Sequence, residues 1–363
     1  MTPHDTGHRL AALRDRLRQR NLDGAVIVGD ANRRYLSGFT GSTGWLLITL
    51  DSAWLLTDGR YWERAQGEAP QFSLWQVRGK YKDALSDALA SLRGRLGFEA
   101  HIVTVQDYDT VYLANSHIDW VKTRDLVESL RQAKDEAELH AIRRAAAVTD
   151  AAMMQVPRLL RPGMTESDLA WELEKHMRQH GAEALAFPIA VAFGPNTAMP
   201  HAEPGTTALA SEMAVWIDMG ARVDEYCSDL TRAFWYGDEP DREYLQAWRA
   251  VRQAQIASLT VLRAGVSGRL VDAVARDTLG WHGYKEAFLH SLGHGVGLVV
   301  HEGPRLSRYA EDTLARGSVV TVEPGVYLAG QWGIRLEELV IVWDNGPEVV
   351  SQASHWHRIR PQQ

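Results

Sequence analysis

Four carboxylates set in apolar, strand-like surroundings constrain this chain more than any other feature. Asp218 follows Trp216-Ile217, Asp229 precedes Leu230-Thr231, Glu323 ends the run VVTV, and Glu337 opens the apolar run after it. A carboxylate inside such a run needs a partner, and a divalent cation is a good one. Asp218 and Asp229 lie eleven positions apart (229 − 218), so two strands joined by a short turn bring them side by side. Adjacent carboxylates repel, and burial makes each costlier to ionise; a cation removes both penalties. Plainer readings exist: the aspartates can be ordinary turn residues, and Glu337 can pair with Arg335. Glu323 is followed by Pro324-Gly325, which forces a turn, and strand ends at turns hold side chains rigidly over a cleft.

The chain divides by pattern. Up to residue 125, strand-like runs at 24–28, 45–49, 53–57, 72–77 and 101–105 interleave with helical spacing at 9–20 and 82–93, which predicts one α/β domain. Leu50-Asp51-Ser52 separates two of those runs as a hairpin turn does. The stretch LRQAKDEAELHAIRRAA (130–146) is charged, rich in helix formers and free of Gly and Pro. It reads as a linker running into the first long helix of a second domain, with that helix ending near Pro162-Gly163. Thr165-Glu166-Ser167-Asp168 has the form of a capping box opening the next helix. Strand-like runs then follow at 189–193, 214–219, 319–322 and 339–343, interrupted by helices near 241–263 and 269–278. Two helices then strands, twice over, points to an internal duplication, although no residue-level repeat accompanies it.

The segment FLHSLGHGVGLVVHEGPRLS holds His290, His294 and His301 within twelve residues, interleaved with Gly293, Gly295 and Gly297. Glycine lets backbone approach a site closely. Histidine offers a neutral nitrogen ligand or a proton donor near neutral pH. The segment is not a dinucleotide loop, because the G-x-G-x-x-G pattern is incomplete and no helix signal follows. Nor is it the H-E-x-x-H zinc pattern, because Arg305 stands where the second histidine belongs.

Composition excludes some partners. A formal net charge of −7 with no long basic run argues against nucleic acid or an anionic membrane surface. No run approaches the length of a membrane span. The single cysteine, Cys227, permits no intramolecular disulfide and fits a cytoplasmic protein; it reads as a buried, inert thiol. The first twenty residues are charged throughout and lack the apolar segment of a signal peptide.

Asp-x10-Asp, then His in GHG, Glu in EPG and Glu in GIRLE together resemble the pita-bread metallopeptidases, which include methionine aminopeptidase, aminopeptidase P and prolidase. NRRYLSGFTGS (32–42), TDGRYWERA (57–65), GFE (97–99) and LRQAKDEAEL (130–139) are similar to the Xaa-Pro peptidase and creatinase branch, so the resemblance covers nearly the whole chain. It implies a creatinase-like α/β domain over 1–125 and an α+β pita-bread catalytic domain over 126–363. It also implies two divalent ions per chain, with Asp218, Asp229, His294, Glu323 and Glu337 as ligands. Asp229 and Glu337 bridge the ions in that scheme, Asp218 completes one site, and His294 and Glu323 complete the other. Thr231 and Arg232 orient Asp229.

An oxygen-rich site with one histidine suits Mn²⁺, Co²⁺ or Zn²⁺. The activity implied is hydrolysis of Xaa-Pro bonds by a metal-bridging hydroxide, with Glu323 shuttling a proton and His201, His290 and His301 around the substrate. The Xaa-Pro bond is a tertiary amide with no N–H, so most peptidases fail to grip it. A dipeptide's free carboxylate calls for a cation, and Arg305 is the candidate clamp, which makes prolidase the expected activity. The alternatives are aminopeptidase P acting on longer peptides, a metal-free creatinase-like hydrolase, and a non-enzymatic binding protein. A homodimer is implied as well.

Overall fold

Leucines at three- and four-residue spacing shape the first element: Leu10, Leu13 and Leu17 bury one face of the helix Thr6–Gln19. The structure, a computed structural model, describes residues 6–112, 115–311 and 313–361. Residues 1–5, part of the stretch read as carrying no signal peptide, lie outside these. The chain forms two units, Met1–Arg131 and Gln132–Gln363, so the division falls six residues past 125 (131 − 125).

The first unit holds a six-stranded mixed sheet. Its spatial order is Ser73–Val77, Ala53–Asp58, Trp45–Thr49, Gly24–Ile27, Arg95–Glu99 and Asp119–Thr123. Trp45–Thr49 and Ala53–Asp58 form the expected hairpin. The strand expected at 101–105 is absent. The neighbouring strand is Arg95–Glu99, and it ends where Glu99 turns inward to accept the N–H groups of Val28 and Gly29 at 2.6 and 2.8 Å. Thr104 then caps a short helix, its hydroxyl accepting the Asp107 N–H at 3.1 Å, and Val105 is left exposed. An apolar, β-branched composition was outweighed there by a local cap.

In the second unit, two helices precede a set of strands, twice. Glu136–Met153 and Glu166–Gln179 lead into Ala190–Phe193, Met213–Met219 and Leu230–Tyr236. Arg242–Val261 and Gly268–Trp281 lead into Gly293–Gly295, Val319–Val322 and Glu338–Trp343. Thr165 and Asp168 form the expected capping box, and Asp135 with Glu138 forms a second. The first long helix stops at Met153 rather than near 162, because Pro157 lacks an N–H and its ring clashes with a carbonyl four residues earlier.

The strands make a four-stranded sheet, a five-stranded sheet and two smaller ones. Alanines of Arg242–Val261, among them Ala247, Ala250 and Ala254, let that helix lie close on the core with Trp216, Val322 and Ile334. Among the described residues no helix is long and apolar enough to cross a membrane.

Candidate metal centre

Strand alternation delivers the first two carboxylates. Met213–Met219 and Leu230–Tyr236 pair antiparallel with Asp218 opposite Thr231. Asp229 stands two positions before Thr231, so the period of a strand sends Asp218, Asp229 and Thr231 to one side. Gly220, between Met213–Met219 and Ala221–Val223, packs tightly beside them: a Cβ there would lie 2.1 Å from the Ser228 carbonyl oxygen.

The two glutamates come from a second ladder. Val322 pairs with Glu338, and continuing that register one step sets Glu323 opposite Glu337. The step after it places Pro324 opposite Leu336, whose N–H donates to the Pro324 carbonyl at 3.3 Å. Like charges directly opposite on neighbouring strands destabilise the pairing unless something neutralises them.

His294 arrives on the short strand Gly293–Gly295, squeezed between Glu302–Leu306 and Val319–Val322. A Cβ at Gly293 would sit 2.1 Å from the Thr321 carbonyl, and one at Gly295 would sit 2.1 Å from that of Gly303. The GHG sequence is thus a packing requirement that presents one ring. His294 Nδ1 lies 3.1 Å from the Gly295 carbonyl, so the ring proton sits there and Nε2 keeps its lone pair. That Nε2 is 3.6 Å from Asp229 Oδ2 and 3.4 Å from Glu323 Oε1. Oxygens of Asp218, Asp229 and Glu337 all lie within 4.8 Å of one another. All five residues read from the sequence as ligands therefore meet in one cluster.

The cluster is too acidic to stand alone. Arg335 is the buried cation against its four carboxylates, donating to Asp218 Oδ2 at 2.6 Å and lying 4.0 Å from Glu323. Burial first, and then the neighbouring acids, hold the carboxyls of Asp229 and Glu337 well above the usual range. Burial raises Glu323 to about 7. Burial and then the charge of His301 lower His294 to about 4, which leaves it a neutral nitrogen donor. Asp218 Oδ1 is buried with no hydrogen-bond partner. An orphaned carboxylate oxygen, a lone-pair nitrogen and excess negative charge fit divalent metal.

The surroundings differ from expectation in instructive ways. Thr231 donates to Glu337 Oε2 at 2.8 Å, and Arg232 donates to the Glu337 carbonyl, so both orient Glu337 rather than Asp229. Arg335 binds Asp218, not Glu337, and also reaches Tyr327 Oη at 2.8 Å and the Pro200 carbonyl at 3.0 Å. His290 Nε2 sits 3.0 Å from Tyr327 Oη and its Nδ1 lies 2.8 Å from the Ser291 carbonyl, so both nitrogens are engaged. Burial, reinforced by Arg335, lowers His290 to about 3.

Thr321 accepts the His294 N–H at 3.1 Å and donates to Glu323 Oε1 at 3.0 Å. Sequence reading missed Thr321 and Tyr327. Only the strand period, which puts 321 on the face of 323, pointed to the first.

At the rim, the His301 ring meets the His294 ring edge-on, with centroids 4.3 Å apart. His201 is exposed and follows Pro200. Arg305 pairs across the strands with His294, so both side chains leave the same face. The nearby acid Glu302 is taken by the buried Lys134 at 3.0 Å. Among the described residues no carboxylate lies within ion-pair distance of Arg305.

Comparison with known proteins bears on both units. Residues 140–344 match metallopeptidase family M24, and residues 9–133 match the creatinase/prolidase N-terminal domain. An uncharacterized peptidase of Bacillus subtilis, YqhT, is 34% identical, with 95% of this chain and 98% of that one covered. The structure of an Xaa-Pro dipeptidase from Bacillus anthracis superposes with a TM-score of 0.93 at 34% identity, covering 98% of this chain and all (100%) of that one. That of an X-Pro aminopeptidase from Thermotoga maritima gives 0.87 at 34% identity, covering 95% and 100%. With a creatinase-type N-terminal domain joined to a pita-bread domain that gathers these acids around His294, the chain belongs to metallopeptidase family M24.

Proposed function

We propose that this protein is a prolidase, cleaving Xaa-Pro dipeptides with two divalent ions (Mn²⁺, Zn²⁺ or Co²⁺) held by Asp218, Asp229, His294, Glu323 and Glu337. Asp229 is near both halves of the set, His294 on one side and Asp218 and Glu337 on the other. When bound, the ions acidify a water into a nucleophile and polarise the peptide carbonyl.

The chain's own groups do the rest. Glu323, fixed at Oε1 by Thr321, moves a proton toward the proline nitrogen. His301 and His201, at the rim, donate hydrogen bonds to the peptide, while His290 steadies Tyr327. A homodimer, which rests on family resemblance, and a cytoplasmic location, which rests on the single cysteine, belong to the same reading. The intact ligand set weighs against a metal-free hydrolase or a binding protein.

The observation that carries the dipeptide preference is Arg305. It is a guanidinium on the face of a metal ligand, with no acidic partner among the described residues. In this reading it grips the free carboxylate of a dipeptide's proline in bidentate fashion. A longer substrate has no charge there and forgoes this charge-assisted pair, a difference of about 1–3 kcal/mol, or roughly ten- to a hundredfold in kcat/KM. The test compares an Xaa-Pro dipeptide with an Xaa-Pro tripeptide in wild type and in Arg305→Ala. Wild type favours the dipeptide and the variant loses most of that preference. A wild type that favours the tripeptide is an aminopeptidase P, and an unchanged preference in the variant puts the clamp elsewhere.

A further inference from the structure

The ladder that carries two of the acidic ligands has a missing hydrogen bond. Its register sets Pro324 opposite Leu336, and the Leu336 N–H donates to the Pro324 carbonyl at 3.3 Å. The reciprocal bond cannot form, because proline has no N–H. The Leu336 carbonyl is thereby deprived of its ladder donor one residue before Glu337, deep in the unit where no water can substitute cheaply.

A side chain from outside the sheets fills the gap. Gln255, fully buried on the helix Arg242–Val261, donates from Nε2 to the Leu336 carbonyl at 2.8 Å and to the Val322 carbonyl at 3.1 Å. Val322 and Leu336 immediately precede Glu323 and Glu337. Arg252, three residues earlier, donates to Gln255 Oε1, which fixes which end of the amide faces the strands. One amide group therefore ties together the two backbone points from which the opposed glutamates project.

We infer that Gln255 is a positioning residue of the metal centre, a stand-in for the N–H that Pro324 lacks, setting the spacing of Glu323 and Glu337 for metal. It touches neither substrate nor ion and acts through the backbone. This rests on the metal-centre reading above. Partners that orient ligands are worth roughly 10–100-fold in metal affinity.

The test uses the full chain stripped of metal and titrated calorimetrically with Mn²⁺, in wild type, Gln255→Leu, Pro324→Ala and the double variant. Gln255→Leu keeps the side chain's bulk and loses both donors, so it binds Mn²⁺ about 10–100-fold more weakly. Adding Pro324→Ala supplies a backbone N–H opposite Leu336 and recovers a large part of that loss, although Pro324→Ala alone brings no gain. A merely structural role gives losses that add. If Gln255→Leu does not fold alone, the double variant folds and binds Mn²⁺, and its failure to do so overturns the inference. Equal Mn²⁺ affinity in wild type and Gln255→Leu, or additive losses, also overturns it while leaving the metal centre intact. A wild type that takes up no Mn²⁺ removes the centre itself and the inference with it.

Discussion

At the scale of single residues, the site is a concentration of charge that the fold does not neutralise by itself. Burial holds Asp229 and Glu337 well above the usual carboxylate range and Glu323 at about 7, against an ordinary value of 4.5 for a glutamate. For these groups the metal-free native state binds more protons than the unfolded chain, so its stability falls as pH rises from 4.5 through the folded values. The histidines act oppositely. His294 at about 4 and His290 at about 3 sit below the ordinary 6.5, so their effect is loss of stability as pH drops beneath 6.5. Above 6.5 only the carboxylates act. The melting temperature of chelated protein should therefore decline between pH 6.5 and about 8, while that of metal-loaded protein stays nearly flat. A chelated protein that melts at one temperature across that window contradicts the electrostatic picture. The five clustered residues proposed as ligands were legible because each stands in a short, distinctive word of sequence. Arg335 and Tyr327 were not: Arg335 meets Asp218 117 residues away, and nothing local marks that contact.

At the scale of elements, hydrophobic period and cap chemistry located the five described helices of fourteen residues or more, but shorter elements such as Asp30–Ser37, Arg95–Glu99 and Glu302–Leu306 went unread, and two readings failed where one residue overruled the pattern. His101–Val105 composition suggested a strand, but Glu99 had already ended it and Thr104 had started a helix. Pro157 cut a helix short in the same way. Register, unlike element type, was illegible, and the site depends on it, because Glu323 opposes Glu337 only in the pairing adopted by Val319–Val322. Two threonines separate element stability from site geometry. Thr165→Ala removes a helix cap and should cost about 1 kcal/mol with metal affinity unchanged. Thr321→Val removes the hydroxyl between His294 and Glu323 and should weaken metal binding roughly tenfold or more. Calorimetric Mn²⁺ titration beside thermal melts distinguishes them, and a Thr321→Val protein with wild-type affinity contradicts the assignment.

At the scale of the whole molecule, the second unit repeats one plan, two helices and then strands, and draws the side chains of its cluster from both halves. Asp218 and Asp229 come from the first set of strands, and His294, Glu323 and Glu337 from the second. The order of elements was visible in the sequence, whereas the convergence of the two halves on one cluster follows from sheet packing that no local pattern encodes. In the proposed reading such a centre works only when both halves hold metal, and that dependence is the central claim. The most direct measurement strips the protein of metal, adds Mn²⁺ in steps, and follows hydrolysis of an Xaa-Pro dipeptide alongside metal content. Activity should start from essentially nothing and level off at two ions per chain. Full turnover in metal-free protein, or no turnover with both ions bound, would contradict it.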